Sequence, residues 1–193
     1  MVRRDTLDRA HFEQLYAARP DPWQLATSAY ERAKYAATLA ALPRPRYRHG
    51  FEIGCALGIL TAELGQRCDA LLAVEPVATA LDAARARNAG QGHIRFAEMF
   101  VPAQWPDERF DLVVLSEVID YLGAADVEAL ARRLSGSLEP GGDLVMVHWV
   151  GKKRGPSSGD EASDRLVAAT AGHLAVLRQA RNADYRLDVL RRA

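Results

Sequence analysis

From about Phe51 onward, the chain alternates short unbroken runs of Val, Ile, Leu and Phe with longer stretches whose apolar residues return at helical spacing. Unbroken apolar runs suit strands covered on both faces, and strands separated by amphipathic helices build a parallel sheet through βαβ crossovers. The runs predict strands over residues 50–53, 71–75, 94–97, 110–116 and 144–150. Between them, Leu60 and Leu64, then Val77, Leu81 and Ala84, then Val127, Leu130, Ala131, Leu134 and Leu138 mark the buried stripes of crossover helices. The fold class is therefore α/β, with five parallel strands.

Both flanks of this core carry their own signals. Residues 8–18 read as a short helix, broken by Arg19-Pro20-Asp21-Pro22-Trp23, where two prolines enforce an extended loop. Ser28-Ala29-Tyr30-Glu31 has the form of a capping box, and Tyr35, Leu39 and Leu42 continue a second helix up to Pro43. Residues 151–159 are a Gly, Ser and Lys loop, and 160–171 read as a helix. Two β-patterned runs, 174–181 and 185–191, flank Asn182-Ala183-Asp184 as a closing hairpin. At roughly 150 residues per domain, 193 residues predict one domain: a helical cap over 1–49, a core over 50–150, and a loop, helix and hairpin over 151–193.

Composition narrows the function classes. Apolar residues make up 49% and charged residues 26%, the balance of a globule that can bury a core. Lys plus Arg and Asp plus Glu each number 25, so the formal charge is zero and no chain-wide field favours nucleic acid or an anionic membrane. The longest apolar runs fall far short of the ~20 residues that a spanning helix needs. The opening residues lead into Asp8, Arg9, His11 and Glu13, unlike the apolar core of a signal peptide. Cys55 and Cys68 are too few for a disulfide framework or a zinc site. The expectation is a cytoplasmic protein without a nucleic-acid partner, membrane span or bound metal.

The strongest chemical signal is Phe51-Glu52-Ile53-Gly54-Cys55-Ala56-Leu57-Gly58, a strand entering a glycine turn and then a helix. Such a turn brings a ligand close to bare backbone at a helix N-terminus. Its spacing is not the G-x-G-x-x-G of dinucleotide enzymes, which disfavours a dehydrogenase. Glu75 ends the second strand about 20 residues later, where a carboxylate can hold a ribose diol. Glu98 and Ser116-Glu117 close the third and fourth strands at the same carboxyl edge. Tyr16, Trp23 and Tyr30 join Glu52 as residues able to line a site for a cation. His148, near the end of the fifth strand, is a candidate base for an acceptor amine or hydroxyl; Glu117, Asp120, Tyr121 and Asp160 compete for that role. Lys152-Lys153-Arg154 suggests a solvated loop or a lid.

These residues resemble the class I S-adenosylmethionine-dependent methyltransferases. Glu52 to Gly58, Glu75, Phe110-Asp111-Leu112-Val113-Val114-Leu115-Ser116-Glu117 and Leu138-Glu139-Pro140-Gly141-Gly142 match that superfamily's motifs in order across residues 50–150. Asp21-Pro22-Trp23, Glu31-Arg32, the Glu52 to Ala56 turn and Glu117-Val118-Ile119-Asp120-Tyr121-Leu122 further resemble the nodulation protein S family, whose members N-methylate deacetylated chitooligosaccharides. The resemblance implies a Rossmann-like seven-stranded methyltransferase sheet whose N-terminal helices cover S-adenosylmethionine. It implies cofactor contacts from Trp23, Glu52, Gly54, Cys55, Ala56, Gly58, Glu75, Pro76, Glu98, Met99, Ser116 and Glu117. Catalysis is expected from His148, by its place on the fifth strand, or from Glu117 or Tyr121, and the resemblance implies a small-molecule acceptor such as an amine-bearing sugar. O-methylation of a small metabolite, or a catalytically silent binding module on the same fold, are the alternatives. The Asn-Pro-Pro-Tyr signature of amino-group base methyltransferases is missing after the fourth strand.

Overall fold

The computed structural model describes residues 5–151 and 155–193, so Lys152-Lys153-Arg154 lies outside the described residues. Seven strands form one sheet: β1 (Tyr47–Ile53), β2 (Cys68–Glu75), β3 (Ile94–Glu98), β4 (Phe110–Ser116), β5 (Leu138–Trp149), β6 (Leu174–Arg181) and β7 (Tyr185–Arg192). Their order is β3-β2-β1-β4-β5-β7-β6. Pairing is parallel from β3 through β5, and β7 inserts antiparallel to both β5 and β6. The helices among the described residues are α1 (Arg9–Ala18), α2 (Ala29–Ala41), α3 (Ile59–Gly65), α4 (Ala78–Arg87), α5 (Ala124–Ser137) and α6 (Gly159–Thr170). A 3₁₀ turn (Ile119–Tyr121) follows β4.

The period of two in the central strands divides the core. Val113 and Leu115 join Phe51, Ile53, Leu72 and Val74 on one face, against Val127, Leu130 and Leu134 of α5 and Leu166 of α6. Leu112 and Val114 join Leu71 and Ala73 on the other, against Tyr35 of α2, Leu60 and Leu64 of α3 and Leu81 of α4. This is why the strands read as unbroken apolar runs.

Several boundaries differ from the sequence reading, each for a local reason. β5 starts at Leu138, not Leu144, because a register shift against β4 between Phe110 and Leu112 lets the ladder pass through Pro140, Gly141 and Gly142. β1 starts at Tyr47, whose hydroxyl donates to buried Asp143 at 2.9 Å, and β2 starts at Cys68. Gly50 makes room between them, since a Cβ there would stand 2.7 Å from Cys68 Sγ. The hairpin turn is closed by Asn182 Oδ1, which accepts the N–H groups of Asp184 and Tyr185.

The N-terminal segment folds back over the sheet. Asp8 caps α1 by accepting the His11 N–H at 2.9 Å. Asp21 shapes the following loop by accepting the N–H groups of Leu25 and Ala26. Leu7 is buried and donates its N–H to the Tyr121 carbonyl at 3.0 Å, so the start of the cap is tied to the turn after β4.

Gly58 has φ +73 at the entry to α3, and an added Cβ would lie 2.9 Å from Ala84 Cα and 2.7 Å from Asn88 Nδ2. Combining left-handed strain with overpacking, Gly58→Ala should destabilise the fold by about 2–4 kcal/mol. Gly90→Ala, where a Cβ would meet nothing within 4 Å, is the control and should leave the urea midpoint almost unchanged.

Candidate active site

The carboxyl ends of β2, β1, β4 and β5 open into a cavity of about 680 Å³. The sheet order reverses direction at β1, which leads to β2 on one side and borders β4 on the other; ligands of open α/β sheets bind at such a point. Glu52, Ile53, Gly54, Cys55 and Ala56 form the floor after β1, Glu75 and Pro76 follow β2, and Met99 follows β3. Ser116, Glu117 and Val118 follow β4, Tyr121 lies in the 3₁₀ turn, and Trp149 ends β5. The cap supplies His11, Phe12, Leu15 and Tyr16 from α1, Trp23 and Leu25 from the loop, and Tyr30, Glu31 and Tyr35 from α2.

Backbone conformation shapes the floor. Gly54 and Ala56 have φ +77 and +48, left-handed values that fold the turn tightly against β2. The Gly54 and Cys55 N–H groups both donate to the Val74 carbonyl at 2.9 Å. Glu75 completes the corner by accepting the Ala56 N–H at 3.1 Å and the Val77 N–H at 3.2 Å, so its carboxylate is fixed at the cavity edge.

Two of the wall carboxyls are electrostatically unusual. Burial pushes Glu52 from 4.5 up to about 7, with the Thr61 hydroxyl pulling the other way. Burial likewise pushes Glu75 from 4.5 up to about 7, and the Val77 and Ala56 N–H groups offset part of the effect. Glu52 Oε2 finds no hydrogen-bond partner among the described residues. Burial, then Glu75, holds the Tyr16 hydroxyl well above its ordinary range, so it remains a donor. The Cys55 thiol is also raised, first by burial. The Tyr16 ring meets Trp23 edge to face at 5.5 Å, and Phe12 meets Tyr121 in the same way at 5.1 Å.

The structure brings together Trp23, Glu52, Gly54, Cys55, Ala56, Glu75, Pro76, Met99, Ser116, Glu117 and Tyr121. It sets others apart. Gly58 is at the N-terminus of α3 but outside the cavity wall, and its missing side chain serves contact with α4. Glu98 turns outward with a side chain 43% exposed and pairs with Arg9. His148, expected as a base, is fully buried and absent from the wall. Its Nε2 accepts N–H groups from Val118 (3.3 Å) and Ile119 (3.1 Å), which places the ring proton on Nδ1 and leaves Nε2 no lone pair for an acceptor. The ring shapes the turn that carries Tyr121. Asp120 is buried away from the wall, and Asp160 pairs with Arg181, whose hydrogen bond holds its carboxyl below the ordinary value.

Sequence reasoning missed Lys34, which is fully buried beside Glu31 and Glu117. Its signal was a charged residue in the helical stripe Glu31, Lys34, Tyr35, Thr38 and Ala41 that α2 buries. Glu117, at φ +59, is a non-glycine residue in the left-handed region, a conformation costing roughly 1–2 kcal/mol that surrounding contacts must sustain. Among the described residues, no group of three or more His, Cys, Asp or Glu side chains is placed to hold a metal, and no helix is long and apolar enough to cross a membrane.

Residues 8–168 match the family model of nodulation protein S. A curated nodulation protein S from Rhizobium tropici is 35% identical over 130 residues, which are 66% of this chain and 55% of that protein. The chain spans 55% to 61% of the length of the three nodulation protein S relatives it matches. A Pseudomonas syringae crystal structure described as a candidate methyltransferase is 39% identical with a TM-score of 0.74, covering 86% of this chain and all of that one. The N-methyltransferase NodS of Bradyrhizobium japonicum WM9, solved with S-adenosyl-L-homocysteine, gives a TM-score of 0.81 at 23% identity, covering 96% of this chain and 99% of that one.

Replacing His148 removes the acceptor of one buried and one partly buried N–H group and opens a cavity, so His148→Ala should cost about 2–4 kcal/mol of stability. Urea denaturation measures the loss; an unchanged midpoint would show that the ring does not hold the turn.

Proposed function

The chain belongs to the nodulation protein S family, and from that premise and the cavity geometry we propose that it transfers a methyl group from S-adenosylmethionine to a small-molecule acceptor, with an amine-bearing sugar as the acceptor class. The family supports the acceptor class, and Glu75 carries the reading of the cofactor. Its carboxylate is fixed by two backbone N–H groups at the end of β2, beside a glycine turn and a largely apolar cavity. A carboxylate in that position suits a ribose diol, which donates two hydrogen bonds.

The remaining wall fits the cofactor as well. Glu52 presents a buried carboxylate oxygen without a hydrogen-bond partner among the described residues, suited to a cationic ligand. When bound, S-adenosylmethionine supplies a methyl group made electrophilic by a sulfonium. The chain's own contribution is alignment and exclusion of water. Gly54, Cys55 and Ala56 offer a close backbone floor, and Pro76, Met99 and Ser116 border it. Trp23, packed on Tyr16, covers it. Glu117 and Tyr121 are assigned to the acceptor side, where they orient the nucleophile. Residues 5–49 act as the cap and 50–150 as the cofactor core of one domain, and the reading places the protein in the cytoplasm.

Glu75→Gln keeps the shape and removes the charge, so it should weaken S-adenosylmethionine binding by ten- to a hundredfold, corresponding to about 1.5–3 kcal/mol. Calorimetry on the folded variant tests this, and unaltered affinity overturns the ribose assignment.

The raised carboxyls add a pH dependence. Glu52 and Glu75 titrate near 7 against an ordinary 4.5, so the ligand-free fold holds protons that the unfolded chain has released. Their contribution to stability is complete below about 4.5 and is lost as pH rises through about 7. A ligand that favours the ionised carboxylates must displace those protons. Binding at pH 7 should therefore release protons, and affinity should fall as pH drops from 7 to 5, by up to about tenfold per unit for each linked group. Titrations in buffers of different ionisation enthalpy measure the release.

A further inference from the structure

The sequence pattern assigns Glu31 to closing the first turn of α2, and the structure sends it elsewhere. Ser28 Oγ accepts the Glu31 N–H at 3.3 Å, but the Ser28 N–H donates to the Gln24 carbonyl at 2.9 Å. The same motif is completed at α6, where the Ser158 N–H donates to Glu161 at 2.9 Å. Released from the cap, Glu31 turns to Lys34, whose Nζ lies 3.1 Å from Oε1 and 2.9 Å from Oε2. The same Nζ is 2.8 Å from Glu117 Oε1, which also accepts the Trp149 N–H at 2.9 Å. Both carboxylates line the cavity, and Lys34 is buried behind them. Two carboxylates around one ammonium leave the wall near the ends of β4 and β5 with one net negative charge. In the sheet order, β4 lies two strands from β2, which sets Glu117 roughly 10 Å from the Glu75 edge.

We propose that Lys34 is a positioning residue for the methyl acceptor: it holds Glu31 and Glu117 together as an acidic wall that selects an acceptor nitrogen. The inference rests on the methyl-transfer reading above. During transfer, the nitrogen lone pair becomes the new N–C bond while the C–S bonding pair stays with sulfur, turning the sulfonium into a neutral thioether. Nitrogen thus gains the positive charge that sulfur loses, and the proton it then sheds passes to water. A net negative wall beside that nitrogen favours the charge movement, whereas it repels an anionic acceptor. Lys34 acts through the carboxylates, holding them closer than their mutual repulsion would allow. The rings of Tyr30 and Tyr35, 5.1 and 5.8 Å from Nζ, enclose it.

The test is calorimetry on the full chain saturated with S-adenosylhomocysteine, using a glucosamine disaccharide and its N-acetylated form as probes. Wild type should bind the amine form at least tenfold more tightly than the acetylated form. Glu31→Gln and Lys34→Met should each weaken amine binding at least tenfold and leave the acetylated form and S-adenosylhomocysteine within threefold. Lys34→Arg should restore amine binding to within threefold of wild type. Unchanged amine affinity in Glu31→Gln, or tighter binding in Lys34→Met, overturns the proposal. Loss of S-adenosylhomocysteine affinity in these variants does so too, since it would place the cluster in the cofactor half. If Lys34→Met does not fold, Glu31→Gln and Lys34→Arg decide the matter. A wild type that binds S-adenosylhomocysteine but treats both sugars alike overturns this inference alone, whereas one that binds no S-adenosylhomocysteine overturns the methyl-transfer reading as well.

Discussion

The parallel pairing of β1 with β2 on one side and β4 on the other is the constraint from which the rest of the site follows. Because the chain proceeds from β1 through β2 to β3, then crosses to β4 and β5, the connections on either side of β1 diverge. They cannot cover the carboxyl ends of the central strands, and a crevice remains. Glu52, Glu75 and Glu117 reach that crevice because each stands within one residue of the end of its strand. The same arrangement explains the cap, since an apolar crevice of this size needs covering and α1, the Trp23 loop and α2 supply the cover.

Electrostatics then distinguishes the two halves of the cavity. Beside β1 and β2, burial alone raises two carboxyls, with only hydroxyl and backbone N–H groups to offset the cost. Beside β4 and β5, a buried ammonium compensates two carboxylates directly. An ion cluster of this kind is weak evidence for stability, because desolvating its charges consumes much of what their attraction contributes. Its placement on the wall, with Glu117 in a left-handed conformation and Glu31 withdrawn from its cap, departs from local preference at several residues together. Such departures concentrate at functional sites.

Where the physical signal was local, the sequence was readable. Unbroken apolar runs located all five parallel strands, and the Asn182 turn located the hairpin, because strand burial and turn chemistry act between near neighbours. The start of β5 was not readable, since Pro140 and Gly141 carry turn chemistry and only the shifted pairing with β4 absorbs them into the ladder. The orientation of Glu98 was unreadable for a related reason: strand position gives the edge, but the side chain turns away from the cavity wall to Arg9.

The sequence by itself determined the α/β class, the glycine turn after β1 and the spacing that puts Glu75 at the end of β2, because periodicity and turn chemistry are written within a few consecutive residues. Tertiary structure alone decided what His148 and Lys34 do. His148 looked available on its strand until the turn after β4 folded onto its Nε2. Lys34 drew no attention in the sequence, and only the packing of α2 sets it between Glu31 and Glu117, the latter 83 residues away in the chain. Protonation state, access and pairing depend on atoms distant in sequence, and only the fold brings those atoms together.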